Sequence, residues 1–93
     1  MRKVFNCYRT FSQVEIEAGK LYEVSVTGRA LEKLSIGDKI ASPVKASYNF
    51  ECEIVAIISY GSNLSQIGKS YGCQLTLRSN NYLDNDVEFL YGN

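Results

Sequence analysis

The sequence predicts an all-β fold, a single domain over residues 1–93 whose short strands close into a small barrel. Three observations carry this. Apolar and polar residues alternate with the period of two that belongs to strands, most clearly in residues 21–27, 48–54 and 71–78. Clusters of Gly, Asn and Ser interrupt the chain at short intervals. No stretch shows the longer apolar period of an extended amphipathic helix. A two-layer sandwich satisfies the same pattern, but a closed barrel leaves no exposed sheet edge, and small β folds need that protection.

The first extended stretches are residues 4–8 and 11–17. In the second, Val14 and Ile16 share one face and Glu15 and Glu17 the other, while Phe11 falls out of phase, which predicts a bulge or bend near Ser12-Gln13. Ala18-Gly19-Lys20 is a turn signal. Residues 21–27 then place Tyr22, Val24 and Val26 on one face, in a composition that favours a strand over a helix. Gly28 marks either a sharp bend or the close approach of another backbone.

Residues 30–33 have helical propensity, but their brevity and the Ser35-Ile36-Gly37-Asp38 turn behind them predict a bend between strands. A strand begins at Lys39, and Pro43 marks its end or an exposed edge. Tyr48, Phe50, Cys52 and Ile54 alternate with Asn49, Glu51 and Glu53 before dissolving into Val55-Ala56-Ile57-Ile58, a run expected to enter the most enclosed part of the core. Residues 60–70 form the main polar interruption, with one short helical turn expected near 62–67, capped by Ser62 or Asn63. Tyr71, Cys73, Leu75 and Leu77 resume the alternation, Ser79-Asn80-Asn81 turns the chain, and residues 87–91 close the sheet.

Composition limits function. Ten basic residues balance ten acidic ones, so the chain lacks the positive excess from which general nucleic-acid binders draw their affinity. The three cysteines are widely spaced and there is no histidine, so neither a zinc site nor any other metal or cofactor is expected. They read as reduced thiols serving as small strand residues, with a Cys52–Cys73 bridge as the minority alternative. No apolar segment of signal or membrane-spanning length is present, so a cytoplasmic protein without a membrane partner is expected.

One stretch goes further. Val26-Thr27-Gly28-Arg29, a short connection, and Leu34-x-Ile36-Gly37-Asp38-x-Ile40 resemble the second domain of translational GTPases such as elongation factor Tu. The likeness continues through the apolar strand at 54–58, the loop ending at Ile67-Gly68, and Tyr71-Gly72-Cys73-Gln74-Leu75-Thr76-Leu77-Arg78, so that it covers about residues 11–78. It implies a closed six-stranded, Greek-key-type barrel in which Gly28 lets a strand bend and Gly37 supplies the turn ahead of Asp38. It does not imply GTPase chemistry, because the chain has no phosphate-binding Gly-rich loop ending in Lys-Ser/Thr, and nucleotide hydrolysis is not expected. Where the family uses an acidic residue to hold the end of tRNA, this chain has Ile57 or Ile58, whose apolar side chains accept no hydrogen bond.

Catalysis is not expected. Without histidine, acid–base work would need a tuned carboxylate, lysine, tyrosine or thiol. Glu51 and Glu53 lie on one strand face but read as a solvated flank, and neither Cys52 nor Cys73 has an evident activating neighbour. The surplus is aromatic, with seven tyrosines and four phenylalanines. Tyr60 and Tyr71 flank the long polar loop with Lys69 between them, and Tyr82 sits in the Asn-rich turn, so that end of the barrel is the candidate binding surface. The expected function is a stand-alone, non-catalytic module that binds a protein partner or itself. The alternative is an RNA- or ribosome-associated module with Arg29, Lys69 and Arg78 on phosphates and Tyr60 or Tyr71 stacking on bases.

Overall fold

A computed structural model of the chain describes residues 2–8, 12–41, 51–80 and 87–92; Phe11, Pro43, Tyr48, Phe50 and Tyr82 lie outside the described residues, as does the side chain of Glu51. Among the described residues ten strands follow in order: β1 (Arg2–Cys7), β2 (Ser12–Glu17), β3 (Leu21–Ala30), β4 (Leu34–Ser35), β5 (Lys39–Ala41), β6 (Glu51–Ser59), β7 (Ser62–Leu64), β8 (Gln66–Ile67), β9 (Gly72–Ser79) and β10 (Phe89–Gly92). The described residues contain no helix.

Six of these strands close on themselves. Antiparallel pairing runs β1-β10-β5-β6-β9-β3 and returns from β3 to β1, so the barrel has no free edge within the ring. The consecutive barrel strands β5, β6 and β9 lie side by side, and β10 then returns beside β5, which is a Greek-key arrangement. β2 stands outside the ring. It pairs with residues 21–25 of β3 while β1 pairs with residues 28–30, so the two succeed one another along the same side of one long strand.

The alternation expected from sequence sets the inner face. Val24 and Val26 of β3, Leu75 and Leu77 of β9, Phe5 of β1 and Leu90 of β10 are buried together. Leu34 and Ile67 close one end of this core through the small β4–β8 pair, in which they face each other in register. Burying a side chain of this size is worth roughly 1.5–3 kcal/mol, so the ring of large aliphatics is the main source of stability.

Gly28 shows why the closure depends on a missing side chain. The strand continues through it to Ala30, and the close approach of another backbone expected at this glycine is realised. A Cβ there would fall 2.0 Å from the Asn6 carbonyl oxygen and 2.7 Å from the Phe5 ring. The turn at Gly37 also stands as expected. Gly37 has φ +94°, the Asp38 carboxylate accepts the Ser35 N–H at 2.8 Å, and the Gly37 N–H donates to the Ile54 carbonyl at 2.8 Å. Sequence chemistry here sets the path from β4 into β5.

Three local expectations are corrected. Residues 62–67 form β7 and β8 rather than a helical turn. Tyr60 and Gly61 both adopt left-handed backbone angles, φ +50° and +76°, making a two-residue hairpin loop that folds β7 back onto β6, with Ser59 facing Ser62 and Ile57 facing Leu64. The apolar run after Ile54 is a bulge rather than burial on two faces. Pairing with β9 shifts between Ile54 and Ala56, so the inward positions change from Cys52 and Ile54 to Ile57 and Ser59, while Val55, Ala56 and Ile58 are only half-buried. On β2 the irregularity falls between Glu15 and Glu17 rather than near Ser12-Gln13, and Val14 and Ile16 are exposed because that strand lies beyond the ring.

Candidate interaction surface

The outer face of the β3–β9–β6 sheet has two ends of different chemistry. At the end where β9 begins, a tight turn at residues 68–71 is tied to the end of β3. The Ser70 N–H donates to the Ala30 carbonyl at 2.8 Å and the Ala30 N–H donates to the Tyr71 carbonyl at 3.0 Å. Ser70 takes φ +77°, and an added Cβ on Gly68 would stand 3.4 Å from the Tyr71 ring, so that ring lies over the glycine. Lys69 is exposed on this turn.

Arg29 is brought to the same place by register, since it faces Gly72 across the β3–β9 pair. On the other side of β9, the Ser59 hydroxyl donates to the Gly72 carbonyl at 2.9 Å, which sets the Tyr60 turn beside the same glycine. Tyr60, Gly72 and Arg29 thus form a row across three neighbouring strands, with about 10 Å between its outer members at the usual strand spacing. Tyr60 is 97% exposed and Tyr71 60%. Among the described residues, no ion pair engages Arg29, Lys33 or Lys69.

Arg78 does not join them. It lies near the other end of β9, about 20 Å along the strand from Gly72. There Lys39 faces Glu53, Glu53 faces Arg78, and Arg78 faces Glu23, in register across β5, β6, β9 and β3. The signs alternate along this row. Lys39 Nζ donates to Glu53 Oε1 at 2.8 Å, and Arg78 Nε stands 3.6 Å from Glu23 Oε2. The hydrogen bond from Lys39, with the charges of Lys39 and Arg78, holds the Glu53 carboxyl below the usual carboxylate value. An open groove of about 450 Å³ passes between Leu21, Val55, Asn80 and these charges.

This charged row is what sequence reasoning missed. Glu53 read as a solvated flank and Arg78 as a phosphate ligand, yet Glu53 pairs with Lys39 and Arg78 with Glu23. The signal was partial, since alternation shows that both point outward, whereas their pairing depends on register between distant strands. A further ion pair joins Arg2 to Glu32, with Arg2 Nη2 donating to Glu32 Oε2 at 3.0 Å, and it ties the start of β1 to the connection after β3. The Arg2 contact holds the Glu32 carboxyl low.

The thiols take no part in either end. None of the three cysteines is in a disulfide, and the Cys52–Cys73 alternative fails on register, because Cys52 faces Ser79 while Cys73 faces Gly28. Burial pushes the Cys7 thiol up to about 12 and the Cys73 thiol up to about 11, the reverse of what a nucleophile needs. Among the described residues, no group of three His, Cys, Asp or Glu side chains is placed to hold a metal ion, and no helix is long and apolar enough to cross a membrane.

These features define a closed antiparallel Greek-key barrel with an exposed aromatic and cationic row at one end of its outer face. Comparison of the chain with protein-family models, curated proteins and solved structures gives no match.

Proposed function

We propose that this barrel is a non-catalytic, cytoplasmic binding module that recognises a protein partner through the end bearing Tyr60, Tyr71, Arg29 and Lys69. The observation that carries the reading is Tyr60. A large side chain at φ +50° costs about 1–2 kcal/mol relative to ordinary backbone, and an almost fully exposed ring regains none of it from the core. Asn or Gly suits such a hairpin loop better, so folding does not account for a tyrosine here. A rigid ring with a polar tip is the side chain that protein interfaces favour.

A second reading, binding to single-stranded RNA, draws on Arg29 and Lys69, which have no ion pair among the described residues, beside exposed tyrosines. The Greek-key ring is the architecture that a resemblance to the barrel domain of translational GTPases implies, but a shared barrel carries neither kinship nor activity with it. The protein reading is favoured because ten basic residues are balanced by ten acidic ones, without the positive excess that neutralises many phosphates.

Replacing Tyr60 by benzoylphenylalanine and irradiating living cells separates the readings. Covalent adducts with protein are expected. Adducts dominated by RNA would transfer the assignment to the second reading, and the absence of any adduct would remove the site.

A further inference from the structure

Gly72 is a glycine that the fold does not require. It is exposed, sits at the start of a regular strand, and its φ lies outside the left-handed region. A Cβ added there would meet nothing nearer than the Gly28 carbonyl oxygen at 3.7 Å, which is ordinary contact. Glycine in a strand costs roughly 0.5–1 kcal/mol relative to residues with side chains. Gly28, one position from its register partner, cannot be replaced, whereas Gly72 can be and is not. Its effect is a strip of bare backbone between the Tyr60 ring and the Arg29 guanidinium, which is what a strand glycine provides when another backbone must come close.

The opposite end of the molecule carries the complementary chemistry. β2 pairs only with β3 among the described residues, so its outer edge has no neighbour there. Val14 is 62% exposed and Ile16 48%, and Glu15 and Glu17 are exposed between and after them. Glu15 has no ion pair among the described residues, and Glu17 has only Lys20 at 3.8 Å, with both side chains well exposed. Val14 faces Glu23 and, after the register shift, Glu17 faces Leu21, so an apolar side chain and a carboxylate stand on the same outward face. β2 is therefore an extended segment that is both apolar and acidic, while the Tyr60–Gly72–Arg29 row is aromatic, cationic and bare in its centre.

We propose that the Tyr60–Gly72–Arg29 row receives β2 of a second copy of this chain. The inference rests on the reading of that row as a protein-binding surface and names its partner. Val14 of the second copy covers the backbone at Gly72 and lies against the Tyr60 ring, while its Glu17, on the same face, reaches Arg29 and Lys69. A chain cannot satisfy itself in this way, because β2 lies along the first half of β3 and the row crosses its far end. The contact is head to tail, so it uses two different surfaces on each copy and propagates into oligomers unless it closes into a ring. Exposed charges supply part of it, and salt weakens it.

Two variants test this in the full chain. Gly72→Val fills the bare strip, and Glu15→Lys with Glu17→Lys reverses the charge of β2. Sedimentation of the wild-type protein from micromolar to millimolar concentration at low salt is expected to show a mass that rises with concentration and falls on adding salt. Each variant alone is expected to associate on the order of tenfold more weakly or worse, with Gly72→Val unfolding at the same or a higher temperature. An equimolar mixture of the two variants still contains one intact row and one intact β2, so it is expected to form dimers and nothing larger. A wild-type monomer throughout, an unimpaired Gly72→Val variant, or a mixture that stays monomeric would each overturn the proposal. Adducts from position 60 to a different protein, with a monomeric wild type, would overturn the second copy as partner and leave the binding module standing; no adduct and no association would remove both.

Discussion

Where β3 and β6 begin, Lys39, Glu53, Arg78 and Glu23 face one another across four strands and each charge has an opposite neighbour in register. Where β9 begins, Arg29 faces a glycine, Lys69 sits on a turn, and neither has an anionic partner among the described residues. The composition is neutral, with ten charges of each sign, yet the cancellation is local at one end and incomplete at the other. Net charge therefore describes the average of two surfaces. In the paired row the charges are met within the chain, whereas Arg29 and Lys69 at the other end keep an uncompensated field.

The largest effect expected from this contrast separates two glycines that lie within one residue of each other in the β3–β9 register. Gly28→Ala places a methyl group against the Asn6 carbonyl at 2.0 Å, where only backbone movement makes room, and is expected to cost at least ~3 kcal/mol. Gly72→Ala meets open contact distances and is expected to raise stability by roughly 0.5 kcal/mol. Urea unfolding midpoints of the two variants measure both. Equal losses would mean that Gly72 serves the fold after all and that the bare strip is incidental.

The contrast also shows how much of the molecule the sequence made legible. Alternation over residues 21–27 and 71–78 places Val24, Val26, Leu75 and Leu77 inside, and the glycine-containing steps mark the Gly28 approach and the Gly37 turn. These signals are local, and the barrel keeps them. What depends on register was not legible. One extra residue at Val55 reverses the faces of the rest of β6, and no count along the strand announces which residue is extra. The Tyr60-Gly61 hairpin was hidden for another reason, because a tyrosine is a rare occupant of a left-handed position. Of the candidate site, Tyr60, Lys69, Tyr71 and Arg29 come together at one end of the barrel, while Arg78 does not. Alternation tells which face a residue occupies and leaves its height along the barrel to strand pairing.

A smaller effect concerns Tyr60 itself. If its backbone is strained without return from the core, Tyr60→Asn relieves the strain and is expected to stabilise the protein by roughly 0.5–1 kcal/mol, because asparagine tolerates left-handed angles. The same variant is expected to lose the association that the ring supports. Thermal unfolding and sedimentation on one preparation give both numbers. A stability gain with binding lost sharpens the contrast between the two ends, while a loss of stability would show that the ring contributes to the fold.

The smallest effect belongs to the paired end and is read through pH. The Lys39 hydrogen bond, with the charges of Lys39 and Arg78, lowers the folded-state value of Glu53 below the ordinary 4.5. A carboxyl depressed on folding stabilises the native state above its unfolded value, and that contribution is lost as pH falls through the lower folded value. Glu53→Gln is therefore expected to lower the urea midpoint slightly at neutral pH, with the difference from wild type shrinking once pH drops below about 4.5 and vanishing in stronger acid. The effect stays small because both partners are exposed, and added salt reduces it further. Arg29→Gln, at the other end, removes a charge that has no carboxylate partner among the described residues, so its midpoint is expected to follow the wild-type pH profile. A variant of Arg29 that changed the acid limb as Glu53→Gln does would reveal an anionic partner for Arg29 within the chain, and the unpaired end would then be no more available to a ligand than the paired one.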